Sequence, residues 1–163
     1  KDFFVTPEPI IPENISRVMS LRDGKKKMSK SEESDLSRIN LTDDADLILK
    51  KIQKGKTDSE AISESILKGN TRPEARNLIS IFSALTGKKM QDVISNWNGK
   101  AFSEFKKELG MLLVEKICPI GKEIIKLKSD PVFLKQILKD GSKKAQEVAN
   151  TNLMEIKKIV GLV

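Results

Sequence analysis

Between residues 25 and 31 the chain reads Lys25-Lys26-Lys27-Met28-Ser29-Lys30-Ser31, four ammonium groups and two hydroxyls within seven residues, directly after the turn residues Arg22-Asp23-Gly24. This is chemistry suited to a triphosphate. Lys supplies a mobile point charge, Ser a short donor, and a flexible backbone can turn several N–H groups onto the same phosphate oxygens. A solvated basic surface loop would have the same composition. Lys30-Ser31-Glu32-Glu33 also has the form of an acidophilic phosphorylation site in a disordered loop. The acidic run Glu32-Glu33-Ser34-Asp35 could hold the lysines at rest when no nucleotide is bound.

The rest of the composition narrows the chemistry. Histidine is absent, which removes imidazole acid/base catalysis and the usual His-containing metal sites from these 163 residues. The lone Cys118 excludes an internal disulfide and structural zinc and reads as a small buried residue in a reducing compartment. No apolar run approaches the length of a bilayer span, and no signal peptide is expected. A net charge of +7 suggests a polyanionic partner, RNA first. Residues 100–163 hold 13 Lys against 8 acids, so most of that excess lies in the tail. With 4% aromatics and no Tyr, a base-stacking sheet is not expected, and Trp97 and the phenylalanines read as core. A first residue of Lys suggests a piece of a longer polypeptide.

The elements that must position the loop are mostly helical. Residues 1–21 read as extended, with Phe3-Phe4-Val5 β-prone and Pro7, Pro9 and Pro12 forbidding a helix. Arg17-Val18-Met19-Ser20-Leu21 could form a short strand entering the loop. Thr42 is the predicted N-cap of a helix with acids at its start, Lys50-Lys51 near its end and Gly55 as its stop. Thr57 and Glu60 have capping-box spacing, predicting a second helix with Ile62, Ile66 and Leu67 on one face and Gly69 at its end. Pro73 opens a third, with Leu78, Ile79, Phe82 and Leu85 at helical spacing until Gly87. A shorter helix is predicted over Met90 to Trp97. Ala101 to Leu127 carries a wide apolar stripe that Pro119 should kink or interrupt. Asp130-Pro131 starts another helix, with Phe133, Leu134, Ile137 and Leu138 inward and an end at Gly141. Ser142 then caps a last helix bearing Ala145, Val148, Ala149, Leu153, Ile156 and Ile159. The fold class is mainly α, a helical bundle behind a short extended segment and a loop. The bundle from about Thr42 onward is expected to fold without the loop.

Lys27-Met28-Ser29-Lys30-Ser31 is letter for letter the signature loop of class I aminoacyl-tRNA synthetases. Its flanks extend the likeness: Pro7-Glu8-Pro9, Arg17-Val18-Met19-Ser20-Leu21, Asp43-Asp44 with Ile48, Lys50-Lys51-Ile52 and Thr57-Asp58-Ser59 stand in family order. So do Asn77-Leu78-Ile79, Phe82-Ser83-Ala84-Leu85-Thr86-Gly87, Gly99-Lys100, Phe105-Lys106, Lys144-Ala145, Val148-Ala149 and Val160-Gly161-Leu162. Over nearly its whole length the chain resembles the bacterial tryptophanyl-tRNA synthetase family. It departs from the family pattern at Ala45, at Gly55 and at Pro73-Glu74-Ala75-Arg76, none of them in the loop.

The resemblance implies that residues 1–40 end a Rossmann-type catalytic domain lying mostly upstream, and that residues 41–163 form a helical tRNA-binding domain. It implies an enzyme that joins tryptophan to its tRNA through tryptophanyl-adenylate. Lys27 and Lys30 would be catalytic, meeting charge on the leaving pyrophosphate. Val18, Lys27, Met28, Ser29, Lys30 and Ser31 would bind ATP, which arrives with Mg2+. No tightly bound cofactor and no protein-held metal are implied. Tryptophan, ATP and tRNA are the implied partners, in a cytoplasmic homodimer without DNA or membrane contact. The chain alone is expected to be inactive, since the family's histidine-containing signature and tryptophan pocket are not in it. The competing expectation is a non-catalytic basic helical module that binds RNA or protein. It needs neither the loop's spelling nor the extended segment before it.

Overall fold

The computed structural model describes residues 3–11, 17–68 and 71–162. Five α-helices account for most of them: α1 Ala45–Lys54, α2 Pro73–Thr86, α3 Met90–Trp97, α4 Phe102–Lys128 and α5 Pro131–Ile159. Among the described residues there is no strand, only an isolated antiparallel bridge between Met19 and Lys27. The mainly-α expectation therefore holds. Pro12 and Gly69, expected as a helix breaker and a helix stop, lie outside the described residues. Residues 3–11 are irregular and mostly exposed.

By contact, the chain divides into two compact units, Lys1–Gly121 and Lys122–Val163. The core of the first is built by the apolar faces of α1 to α4. Phe105, fully buried, is its aromatic centre, with ring centroids of Trp97 at 5.1 Å, Phe82 at 5.3 Å and Phe102 at 6.0 Å. Ile48 and Ile52 of α1, Leu78 and Ile79 of α2, and Ile94 of α3 belong to the same buried cluster. Leu21, from the segment before the basic loop, is 2% exposed in the same core. Its N–H donates to Ser37 O at 2.8 Å, and its carbonyl accepts from Lys56 N at 2.7 Å. The segment before the loop thus supplies part of the core on which the helices pack.

Local chemistry explains where the helices start and stop. The cap of α1 is Asp44, whose carboxylate accepts from Leu47 N at 2.8 Å, and not Thr42. Asp43 is turned inward instead, towards Lys51. Pro73 opens α2 at its first turn, and Gly87 ends it in the left-handed region at φ 70°.

The helix expected from Thr57 to Gly69 does not form; only a 3-10 turn, Glu64–Leu67, is present. The backbone there is committed elsewhere. Ile62 N donates to Lys100 O at 3.0 Å and Ile62 O accepts from Gly99 N at 2.9 Å, so neither group is free for a helical ladder. The Arg72 guanidinium gathers the rest, donating to the Glu60 and Ala61 carbonyls and making a paired contact with Asp58. Capping-box spacing lost to a buried guanidinium, 8% exposed, with six oxygens accepting from it.

Two further expectations change. Of the two effects expected of Pro119, interruption does not occur: α4 runs through it as one helix. Proline removes one rung of the ladder, and the helix is anchored upstream of it by buried Phe102, Phe105, Leu109 and Leu113. α5 likewise runs through Gly141 and Ser142, where a stop and a new cap were expected. Phe133, Ile137 and Leu138 are exposed in it, not inward, and none of its described residues is buried. In the second unit the start of α5 is nevertheless well made, with Asp130 accepting from Phe133 N at 2.9 Å.

Two tests follow from this packing. The Arg72 guanidinium holds the Asp58 carboxyl below the ordinary carboxylate range. Because the folded pKa is depressed, the pair stabilises fully above the unfolded value near ~4 and loses that contribution as pH falls through the folded value. Asp58→Asn should lower the melting temperature at pH 7, and the gap from the parent should shrink below about pH 4; a gap independent of pH would remove the charge from the explanation. Gly24 is the second. A Cβ there would lie 2.5 Å from Glu74 N and 2.6 Å from the Pro73 carbonyl carbon, both backbone atoms at the start of α2. Gly24→Ala should cost ~1–3 kcal/mol in urea unfolding, as overpacking does; an unchanged midpoint would mean the turn moves freely off α2.

Candidate functional site

The basic loop is an excursion from residue 22 to residue 36 whose ends meet where Leu21 N donates to Ser37 O. Asp23 shapes its first turn: its carboxylate accepts from Lys25 N at 3.0 Å and its carbonyl from Lys26 N at 3.1 Å. The chain then doubles back. Ser20 N donates to Lys26 O at 2.8 Å and Met28 N to Val18 O at 3.1 Å, bracketing the bridge between Met19 and Lys27. The short strand expected over 17–21 is therefore a single bridge, too brief to count as a strand.

Asn77 of α2 holds this upstream arm in place. Its side-chain amide behaves as a peptide would, accepting from Met19 N at 3.0 Å and donating to Met19 O at 2.8 Å. Asn77 is 4% exposed, and an amide so buried requires such partners. Helix α2 thus fixes the height of Val18 and, through the bridge, of Lys27 and Met28.

An open cleft of about 810 Å³ lies on this hairpin-like base. Val18, Lys27, Met28, Ser29 and Lys30, all singled out by the sequence, line it together. Ser31 is not on its wall; its N–H and hydroxyl instead contact the Ser29 hydroxyl, at 3.3 Å and 2.9 Å. Lys25 is on a different cleft, with Arg22, Lys56 and Glu74. Lys26 lies 3.9 Å from Asp23 with its side chain 76% exposed. The four lysines of one run thus divide, Lys27 and Lys30 towards the cleft and the other two away from it.

Residues that the sequence did not single out complete the walls: Arg17 at one end, and Arg38, Ile39 and Asn40 along the downstream side. Arg38 is the more constrained cation. It donates to Glu32 O at 2.9 Å and pairs with Asp35 at 3.0 Å. The acidic run was expected to restrain the loop's lysines, but among the described residues Asp35 turns to Arg38 and Lys51 instead. Lys51 is fully buried, with its ammonium 2.6 Å from Asp35 Oδ2 and 2.6 Å from Asp43 Oδ2. Asn40 donates from its side chain to both carboxylates, at 3.1 Å each. The Lys51 and Asn40 donors together hold the Asp35 carboxyl below its ordinary range. A signal for this existed in the sequence: Ile48, Lys51 and Ile52 share one helical face, which places a lysine on an apolar stripe.

The arrangement offers two mobile ammonium groups, a hydroxyl and a preset backbone around one cleft, which is equipment for binding a polyanion and stabilising charge that grows on it. Comparison with known proteins points the same way. The family described as tRNA synthetases class I (W and Y) matches residues 1–111. The tryptophan–tRNA ligase of Caulobacter vibrioides is 49% identical over 98% of this chain and 46% of its own length. That of Mesorhizobium japonicum is 46% identical over 99% of this chain and 45% of its own. The crystal structure of tryptophanyl-tRNA synthetase from Mycoplasma pneumoniae matches with a TM-score of 0.79 at 25% identity, covering 93% of this chain and 45% of that one. The chain therefore spans about half the length of the relatives it matches. No helix among the described residues is long and apolar enough to cross a membrane. With its signature loop, its helical fold and its sequence all in agreement, the chain belongs to the class I tRNA synthetases of the W and Y type.

Proposed function

We propose that the protein containing this chain attaches tryptophan to its cognate tRNA, and that this chain supplies the ATP-binding loop and a helical tRNA-binding part. Residues 1–40 complete a Rossmann-type catalytic domain whose remainder lies in the length that the relatives have and this chain does not match. Residues 41–163 carry the helices and most of the net positive charge, suited to an RNA backbone. The protein works in the cytoplasm as a homodimer.

The reaction runs in two steps. A tryptophan carboxylate oxygen attacks the α-phosphorus of ATP, and the bond to the bridging oxygen breaks, releasing pyrophosphate and leaving tryptophanyl-adenylate. A hydroxyl of the tRNA terminus then attacks the acyl carbon and AMP leaves. Mg2+ arrives with ATP on its phosphate oxygens and offsets part of their charge. Lys27 and Lys30 meet the negative charge that grows on pyrophosphate as the bond breaks. Ser29 orients a phosphate, and Ser31 acts through its contact with Ser29. Val18 and Met28 lie towards the nucleoside. No covalent enzyme intermediate is required.

The observation that supports this reading best is the division of the lysine run, with Lys27 and Lys30 on the cleft beside Val18 and Lys25 on another face. In the full-length enzyme, Lys30→Ala should slow single-turnover adenylate formation ~10²-fold or more, about 2.7 kcal/mol, with little change in tryptophan affinity. Lys27→Ala should follow it and Lys25→Ala should matter little. Equal, small effects at all three positions would make the run a diffuse basic patch and sink the assignment.

A further inference from the structure

The downstream wall of the cleft has a support made by residues that do not line it. Residues 32–38 carry the chain from the loop back to Leu21, and Arg38 knits that arm together by holding both the Glu32 carbonyl and the Asp35 carboxylate. The arm makes its charged contact with the helical core through Asp35. There it meets the ammonium of Lys51, which has no exposed surface, whereas the Asp35 side chain is 49% exposed. A buried ammonium reaching out to a surface carboxylate is unusual, because an exposed ion pair contributes little to stability. Lys51 does not depend on it for charge balance, since Asp43, itself 7% exposed, is also 2.6 Å away. Asp35 is thus the second carboxylate on an already paired lysine. What the contact adds is geometry: it ties the loop's downstream end to the buried face of α1, between Ile48 and Ile52.

We propose that Lys51 and Asp35 are positioning residues for the phosphate-binding loop, fixing its downstream hinge so that Lys30 is held where charge develops. The upstream hinge is fixed independently by Asn77 on Met19. With both arms pinned to helices, only the segment between them has to adjust around a triphosphate, and the ammonium of Lys30 is preorganised before bond breaking. This inference rests on the reading of Lys30 given above.

Asp35→Ala is the variant of choice, because it leaves the buried Lys51 and Asp43 paired and need not unfold the protein. In the full-length enzyme it should slow single-turnover adenylate formation about 10-fold or more while tryptophan affinity and melting temperature stay near the parent's, and Asp35→Glu should restore part of the rate. The deciding measurement is a double-mutant cycle. If Asp35 acts through Lys30, then Asp35→Ala added to Lys30→Ala should slow the reaction by less than about 2-fold further, whereas independent effects would multiply. Multiplying effects, or a parent-like rate for Asp35→Ala, would overturn the proposal while leaving the role of Lys30 intact. A Lys30→Ala enzyme of parent-like rate would instead remove the functional reading beneath it. Lys51→Met combined with Asp43→Asn removes the charge from the core without stranding either partner, and it should reproduce the Asp35→Ala rate; a parent-like rate in a folded double variant would exclude Lys51.

Discussion

A lysine ammonium with no solvent exposure constrains everything near it. Removing such a cation from water costs several kcal/mol, recovered only if carboxylates and hydrogen bonds surround it closely. Asp43 and Asp35 both stand 2.6 Å from the Lys51 ammonium, and Asn40 occupies the free oxygens of both acids. From that requirement follow the inward turn of Asp43 and the passing of the α1 cap to Asp44. The turn that enters α1 is therefore set by electrostatics as much as by apolar burial.

A second polar centre, Arg72, plays the corresponding part for the loop between α1 and α2. Its guanidinium is satisfied by Asp58, the Glu60 and Ala61 carbonyls and Ser65, and its carbon lies 5.8 Å from the Phe102 ring centroid. The planar fork suits a loop that presents carbonyls in several directions, which a lysine could not match. The result is a non-helical stretch whose carbonyls are gathered on one guanidinium.

Much of this was legible in the sequence, and the limits have physical causes. Helices α2 and α3 were readable because Pro73, Gly87 and the spacing of Leu78, Ile79 and Phe82 act locally. The loop residues Lys27 to Lys30 were readable by spelling, and the structure brings them to one cleft with Val18. The missing helix after Thr57 was not readable, since the competition came from Lys100 and Gly99, some forty residues downstream, and from Arg72. Gly141 and Ser142 misled because a single glycine is tolerated inside a long helix at a cost of only about 1 kcal/mol. Arg38 was not readable because a lone basic residue is most often a solvated one, and Lys51 reads with Lys50 only as a cation near the helix end; its position on the stripe of Ile48 and Ile52 marks it as different.

That shared stripe has a genetic corollary. Ile48, Lys51 and Ile52 occupy one face of α1, so a substitution that alters how Ile48 or Ile52 seats in the buried core would also shift the lysine that holds the arm beside the cleft. Close-packed interiors pass on such shifts instead of absorbing them. If the cleft takes the nucleotide as proposed, alleles with defective nucleotide chemistry would then map to apolar codons that touch no nucleotide, and second-site revertants would arise within the buried core more readily than among the residues lining the cleft.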